Sequence, residues 1–229
     1  MVANVSVIIP AAGLSLRMKA DKRKPYIVIG EKPIIFHTLE KFSRLQTIKE
    51  IILVVNKEDV SSVIEKWSDT LKSYKVSKIV PGGRRRQDSV YKGLCQIHPD
   101  TEIVLIHDAV RPMISSNIIE TVIKEVKEYG AAIVATPMKS TVKKIDQNLN
   151  IIETVPRHNL WMAQTPQGFK RDIITKAYDK ILNSSIEFTD DAAVVENEGY
   201  TIKIVSGSDD NIKITTPEDL QLAESLLVS

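Results

Sequence analysis

Apolar residues fall in short unbroken runs, separated by longer stretches where they recur at spacings of three and four. The runs cover residues 5–9, 51–55, 76–80, 103–106 and 131–135. They are rich in Val and Ile, as strands buried on both faces are. Between them Ile34, Leu39 and Phe42 mark one helical face, and Val60, Ile64 and Trp67 a second. Val90, Leu94 and Ile97 mark a third, and Ile118, Val122 and Val126 a fourth. This alternation predicts βαβ units in an α/β fold with a mostly parallel sheet covered on both faces. Ligands are then expected at the carboxyl ends of the strands.

One segment breaks the pattern. Residues 141–155 (TVKKIDQNLNIIETV) read as two β-like runs joined by the turn-prone Asp146-Gln147-Asn148, an inserted hairpin that serves as a lid or as an arm. Beyond it, residues 160–165 lead to a helix over 171–183, and Thr189 is expected to cap a helix over 190–198 that Gly199 ends. Residues 201–205 read as a strand. Thr216, Pro217, Glu218 and Asp219 open the last helix. No linker, repeat or low-complexity tract interrupts the chain, so it is expected to be a single domain over 1–229 with a β-arm at about 139–159.

Composition narrows the function. In 229 residues, 31 basic side chains nearly balance 29 acidic ones, which argues against nucleic acid or a membrane surface as partner. A single cysteine, Cys95, allows neither an intrachain disulfide nor a cysteine-based metal site, and its helical context suggests a small core residue. There is no secretory leader pattern and no apolar stretch of membrane-spanning length, so a cytoplasmic protein is expected.

The candidate chemistry follows the strands. After residues 5–9, Pro10 is expected to end the strand, and Ala11, Ala12 and Gly13 leave the main chain open to a ligand. Arg17 and the cluster Lys22-Arg23-Lys24 come next, cations suited to a polyphosphate. The loop lacks the later glycines of a dinucleotide fingerprint and is not a Walker A loop. Pro81-Gly82-Gly83 closes another strand ahead of Arg84-Arg85-Arg86 and Ser89, a setting for an anion or a base edge. Asp108 and Arg111 follow residues 103–106, with Asp108 placed to hold Mg²⁺ and His107 read as structural. Arg157, Thr165 and Gln167 lie beyond the arm, where Trp161 and Phe169 are expected in the core. Asp210 and Lys213 follow the strand over 201–205. The inventory holds many cations, a few acids and no nucleophile–base pair, which suits phosphoryl or nucleotidyl transfer. A phosphate monoester acceptor, with a second pKa of about 6, is already ionised at neutral pH and needs no general base. Catalysis then reduces to aligning two anions and neutralising charge.

PAAGxxxRM, Lys24, GGxxRxxSV, HDAVRP, the Thr141 segment, VPRxxLWxxQTPQ, TDDA and NIKITTPEDL occur in this order over nearly the whole chain. Together they resemble the 2-C-methyl-D-erythritol 4-phosphate cytidylyltransferases, with the D-ribitol 5-phosphate cytidylyltransferases as close relatives. The resemblance implies a Rossmann-like nucleotidyltransferase fold and a Mg²⁺-dependent transfer of CMP from CTP to a polyol phosphate. It implies that Ala11, Ala12, Gly13 and Ala109 line the nucleotide, with Gly82 and Ser89 at the cytosine. Arg17 and Lys24 would stabilise the triphosphate, and Asp108 and Arg111 would sit where metal and substrate meet. Thr165, Lys213 and Asp210 would bind the substrate phosphate or polyol. Thr141 and Arg157 would reach a second subunit's site, making an arm-swapped homodimer. Ser15, Pro25 and Ser140 depart from the usual family residues. Ala109 stands where the ribitol enzymes often carry Ser, which favours methylerythritol phosphate. A non-catalytic nucleotide-binding module would be expected to lack one of Arg17, Lys24, Asp108 and Lys213, and all four are present. A sugar-nucleotide pyrophosphorylase usually needs a longer chain.

Overall fold

β1 (Val5–Ala11) runs through the middle of a seven-stranded sheet, with β4 (Ile48–Val55) on one side and β6 (Ile103–Ile106) on the other. β5 (Val76–Pro81) lies outside β4; β10 (Trp161–Lys170), β7 (Ala131–Pro137) and β11 (Lys203–Ser206) extend the sheet beyond β6. Two small hairpins stand apart from it: β2 (Val28–Ile29) with β3 (Lys32–Pro33), and β8 (Val142–Ile145) with β9 (Ile151–Val155). This computed structural model describes residues 3–13, 23–182 and 184–228. The α/β fold and its mostly parallel sheet are as expected. The exception is β10, antiparallel to both of its neighbours.

The pleat divides the core in two. Val5, Val7, Ile9 and Ala11 face one apolar layer, with α1 (Ile34–Ser43), α2 (Val60–Ser73) and α4 (Ser116–Tyr129). Ile8 faces the other, with α3 (Arg86–Leu94), α5 (Arg171–Ile181) and α6 (Asp191–Glu196). α7 (Pro217–Val228) packs on β2 and the loop after β6. Gly130 ends α4 at φ +91, a conformation that favours glycine. Among the described residues no helix is long and apolar enough to cross a membrane.

Several local expectations need correction. Pro10 does not end β1, which pairs with β4 through Ala11. Ile8 accepts from the His107 N–H at 3.0 Å, so its polar groups face β6. Those of Pro10, two residues on, face the same side beyond the end of β6, where the missing N–H has no ladder partner to lose. α6 is capped by Asp190, whose carboxylate accepts from the Ala193 N–H at 2.9 Å, and not by Thr189. Cys95 is exposed. Phe169 is buried as expected, but Trp161 is 42% exposed at the root of the arm.

Candidate active site

In chain order the strands step from β1 outward to β4 and β5, then return to β6 on the other side of β1. The crevice beyond the carboxyl ends of β1 and β6 is therefore the topological switch point of the sheet. Ala11, Ala12 and Gly13 leave β1 there, and Asp108 and Ala109 leave β6. They line a cavity of about 240 Å³ with Lys24, Gly83, Ser89 and Lys213. Gly82 stands just behind the wall, because a Cβ there would collide with the Ala12 side chain. Ser89 braces the turn, accepting from the Gly83 N–H at 3.0 Å and donating to the Arg85 carbonyl at 3.3 Å. Thr38 on α1 donates to the Ala109 carbonyl at 2.9 Å. Lys24 begins a short 3₁₀ turn (Lys24–Tyr26) whose preceding residue, Arg23, pairs with Glu58 and Asp59 at 2.9 Å each.

A second cavity, of about 210 Å³, opens on the other side of Asp108. Its walls are polar: Arg111, Gln164, Thr165, Gln167, Thr189 and Asp190. Arg86, Asp108 and Lys213 border both cavities. Asp108 lies 3.0 Å from Lys213 Nζ, 3.3 Å from Arg111 Nε and 3.8 Å from Arg86 Nε. Burial alone would raise the pKa of this carboxyl. Lys213 first, then Arg86 and Arg111, more than offset that and hold it well below the usual carboxylate range. Arg86 is shared: its Nη2 pairs at 2.7 Å with the fully buried Asp191, which also accepts from Tyr178 Oη at 2.6 Å. Arg85 is spent elsewhere, on Asp88 and on the Ser184 carbonyl.

Behind Asp108 lies a buried polar chain. Thr165 Oγ1 accepts from the Asp108 N–H at 3.0 Å and lies 3.0 Å from His107 Nδ1. His107 Nε2 lies 3.1 Å from the Arg111 carbonyl, and burial lowers the His107 pKa to about 4. Asn211 ties the last loop to β10, donating to Gln164 Oε1 at 3.0 Å and to the Thr165 carbonyl at 2.9 Å. Arg111 Nη1 donates to the Asn211 carbonyl at 2.6 Å.

Residues 5–229 match the family model described as 2-C-methyl-D-erythritol 4-phosphate cytidylyltransferase. The chain belongs to that family. A relative of that name from Alkaliphilus oremlandii is 46% identical over 226 residues, covering 99% of this chain and 96% of its own. One from Clostridium botulinum is 47% identical, covering 97% and 96%. Among solved structures, the 4-diphosphocytidyl-2C-methyl-D-erythritol synthase of Anaerococcus prevotii superposes with a TM-score of 0.86 at 36% identity, covering 99% of this chain and 97% of that one. The 2-C-methyl-D-erythritol 4-phosphate cytidylyltransferase of Thermus thermophilus gives 0.81 at 28%, covering 99% and 100%.

The fold brings together most of the residues that the family motifs single out. Ala11, Ala12, Gly13, Lys24, Ser89, Asp108, Ala109 and Lys213 line the first cavity; Asp108, Arg111, Thr165 and Lys213 line the second. Asp210 is not among them. It sits on an exposed turn, where its N–H and carboxylate engage Ser208. Thr141 and Arg157 are exposed at the base of the hairpin and line neither cavity. Arg17 lies outside the described residues, as do Ser15 and Lys22. From the sequence, Arg86 is expected only as part of the basic run at an anion or base edge and as the arginine of GGxxRxxSV, with no role of its own. Its signal was its place at the first position of α3, after a strand-end glycine pair.

Proposed function

We propose that the chain transfers CMP from CTP to 2-C-methyl-D-erythritol 4-phosphate, giving 4-diphosphocytidyl-2-C-methyl-D-erythritol and pyrophosphate. The observation that carries this is the pair of cavities meeting at Asp108, Arg86 and Lys213 at the switch point of a chain of this family. The cavity walled by small residues and Lys24 takes CTP. The polar one takes the acceptor. A phosphate oxygen of the acceptor attacks the α-phosphorus; the new P–O bond forms as the α–β anhydride bond breaks, and pyrophosphate leaves with the electron pair. Arg111 and Lys213 hold the acceptor phosphate against the repulsion of the triphosphate, while Lys24 and Arg17 attend the phosphates of CTP.

Mg²⁺ fits this arrangement. Among the described residues no cluster of three or more His, Cys, Asp or Glu could hold a metal. Asp108 is an ionised carboxylate at the meeting point, and one carboxylate plus substrate phosphates is a common Mg²⁺ environment. Lys213 and Arg111 approach its Oδ2 at 3.0 and 3.3 Å, while Arg86 stands 3.8 Å from its Oδ1, the oxygen on which a metal would sit. When bound, the ion would supply positive charge to the triphosphate.

The arm supports a homodimer in which Thr141 and Arg157 serve the other subunit's acceptor site. Among the described residues β8 and β9 pair only with each other, and the arm and its root expose Ile145, Leu149, Ile151, Ile152, Trp161 and Met162. The use of CTP supports a cytoplasmic location for the reaction. The test is pyrophosphate release with CTP and Mg²⁺, comparing methylerythritol phosphate with D-ribitol 5-phosphate. The first is expected to be preferred; release with ribitol phosphate alone, or with neither, refutes the assignment. Mixing Lys24→Ala with Arg157→Ala subunits should recover activity if the arms are exchanged, and no recovery refutes the exchange.

A further inference from the structure

The hydrogen bonds around His107 leave one assignment of protons. The Arg111 carbonyl oxygen facing His107 Nε2 can only accept, so Nε2 carries the ring proton. The ring is fully buried beside Phe42, and its two nitrogens meet neutral partners, a carbonyl and a hydroxyl. Nδ1 is therefore a bare lone pair, and Thr165 Oγ1, 3.0 Å away, donates to it. The same oxygen accepts from the Asp108 N–H. A hydroxyl has one proton and two lone pairs, so the proton and one lone pair are spent inside the protein. Thr165 nonetheless lines the acceptor cavity with Asp108, Arg111 and Lys213. What its side chain has left for a ligand is one lone pair.

We infer that Thr165 meets the acceptor molecule only as a hydrogen-bond acceptor, reading an alcohol O–H of the polyol, and that His107 is the positioning residue that sets this polarity. A phosphate dianion has no proton to give, so it is left to Arg111 and Lys213. The family resemblance leaves Thr165 open to phosphate or polyol; the proton inventory selects the polyol. This rests on the acceptor-side assignment of the second cavity made above.

Two variants separate polarity from packing. His107→Phe keeps a ring beside Phe42 but removes the acceptor, which frees the Thr165 proton to turn into the cavity. His107→Asn retains a side-chain oxygen that can take that proton. For each protein, kcat/KM is measured for methylerythritol phosphate and for its monodeoxy analogues, together with the KM for CTP and the inhibition constant of inorganic phosphate against the acceptor. The parent protein is expected to disfavour one deoxy analogue by about tenfold or more. That ratio should fall to within about twofold in His107→Phe and survive in His107→Asn, as expected for one hydrogen bond. Phosphate inhibition should not weaken in either, and the KM for CTP, which a general loosening would raise, should stay within about twofold. If His107→Phe does not fold, Thr165→Val tests the same collapse by removing the lone pair itself. An unchanged ratio in the folded variant, no discrimination in the parent, or phosphate binding lost on Thr165→Val overturns the inference. Failure of inorganic phosphate to compete with methylerythritol phosphate in the parent would instead overturn the assignment of the cavity.

Discussion

Replacing Asp191 with asparagine removes one charge from the centre of the Arg86 bridge and little else. Asp191 is completely buried, accepts from Tyr178 and pairs with Arg86 at 2.7 Å, so the substitution leaves the guanidinium with Asp108 at 3.8 Å as its remaining counter-charge. Removing one partner of a buried ion pair costs about 3–5 kcal/mol when the survivor stays buried. Here the Arg86 side chain keeps 27% of its exposure, and asparagine still offers an oxygen to Tyr178. We therefore expect a cost at or below the bottom of that range, about 2–3 kcal/mol of unfolding free energy. For a chain of this size each kcal/mol moves the Tm by about 2–4 °C, so the midpoint should fall by about 4–12 °C. Thermal unfolding followed by circular dichroism gives the midpoint, and urea unfolding gives the free energy at an unchanged slope. A fall of less than a degree would refute the reasoning, because it would mean that Arg86 finds solvent without loss and that the pair does not fasten α6 to α3.

Other outcomes follow from the same geometry. His107 has an ordinary pKa of 6.5 and a folded value of about 4, so between these pH values the unfolded chain binds a proton that the folded chain refuses. Stability should therefore decline as the pH falls from 6.5 to 4, with His107 contributing on the order of 3 kcal/mol, and His107→Phe should lose that share of the slope, leaving the part due to His37, whose pKa burial also lowers, when urea midpoints are followed across pH. Gly82→Ala forces a methyl group against Ala12 at the nucleotide wall and should raise the KM for CTP about tenfold, with a small loss of Tm; an unchanged KM would mean the wall yields freely. Lys213→Met removes the cation nearest Asp108 from the shared edge of both cavities. It should lower kcat by about 10²–10³-fold with the fold intact, and near-normal turnover would remove Lys213 from the mechanism.

The parallel half of the fold was legible because its strands are buried on both faces and so are apolar without alternation, as residues 103–106 illustrate. β10 was not, since its central Gln164-Thr165-Pro166-Gln167 lacks an apolar run, and its antiparallel direction is set by pairing with β6 and β7 rather than by local sequence. The strand-end wall of the first cavity, Ala11 to Gly13, was legible because small residues at a strand end have a local meaning. Arg86 was not. The run of three arginines reads as an anion setting, but local sequence does not say which of the three turns inward, and what selects the third is Asp191, 105 residues further along. Asp210 shows the converse: an acid near the right strand end spends its hydrogen bonds on its own turn.

The direction of β10 has a consequence for length changes in the arm. β7 leads out of the sheet, the hairpin turns, and β10 returns beside it with Trp161 opposite Pro137 and Met162 opposite Thr136. The arm is thus the far end of a ribbon whose near end carries Gln164 and Thr165. Two residues added at the hairpin tip extend the ribbon and leave every side chain on its original face. A single residue added between 162 and 163 reverses the parity of the pleat at the root, exchanging the faces on which Trp161 and Met162 stand relative to the site downstream. Natural or engineered arms of different length on this scaffold should therefore differ by even numbers of residues at the root and be unconstrained at the tip.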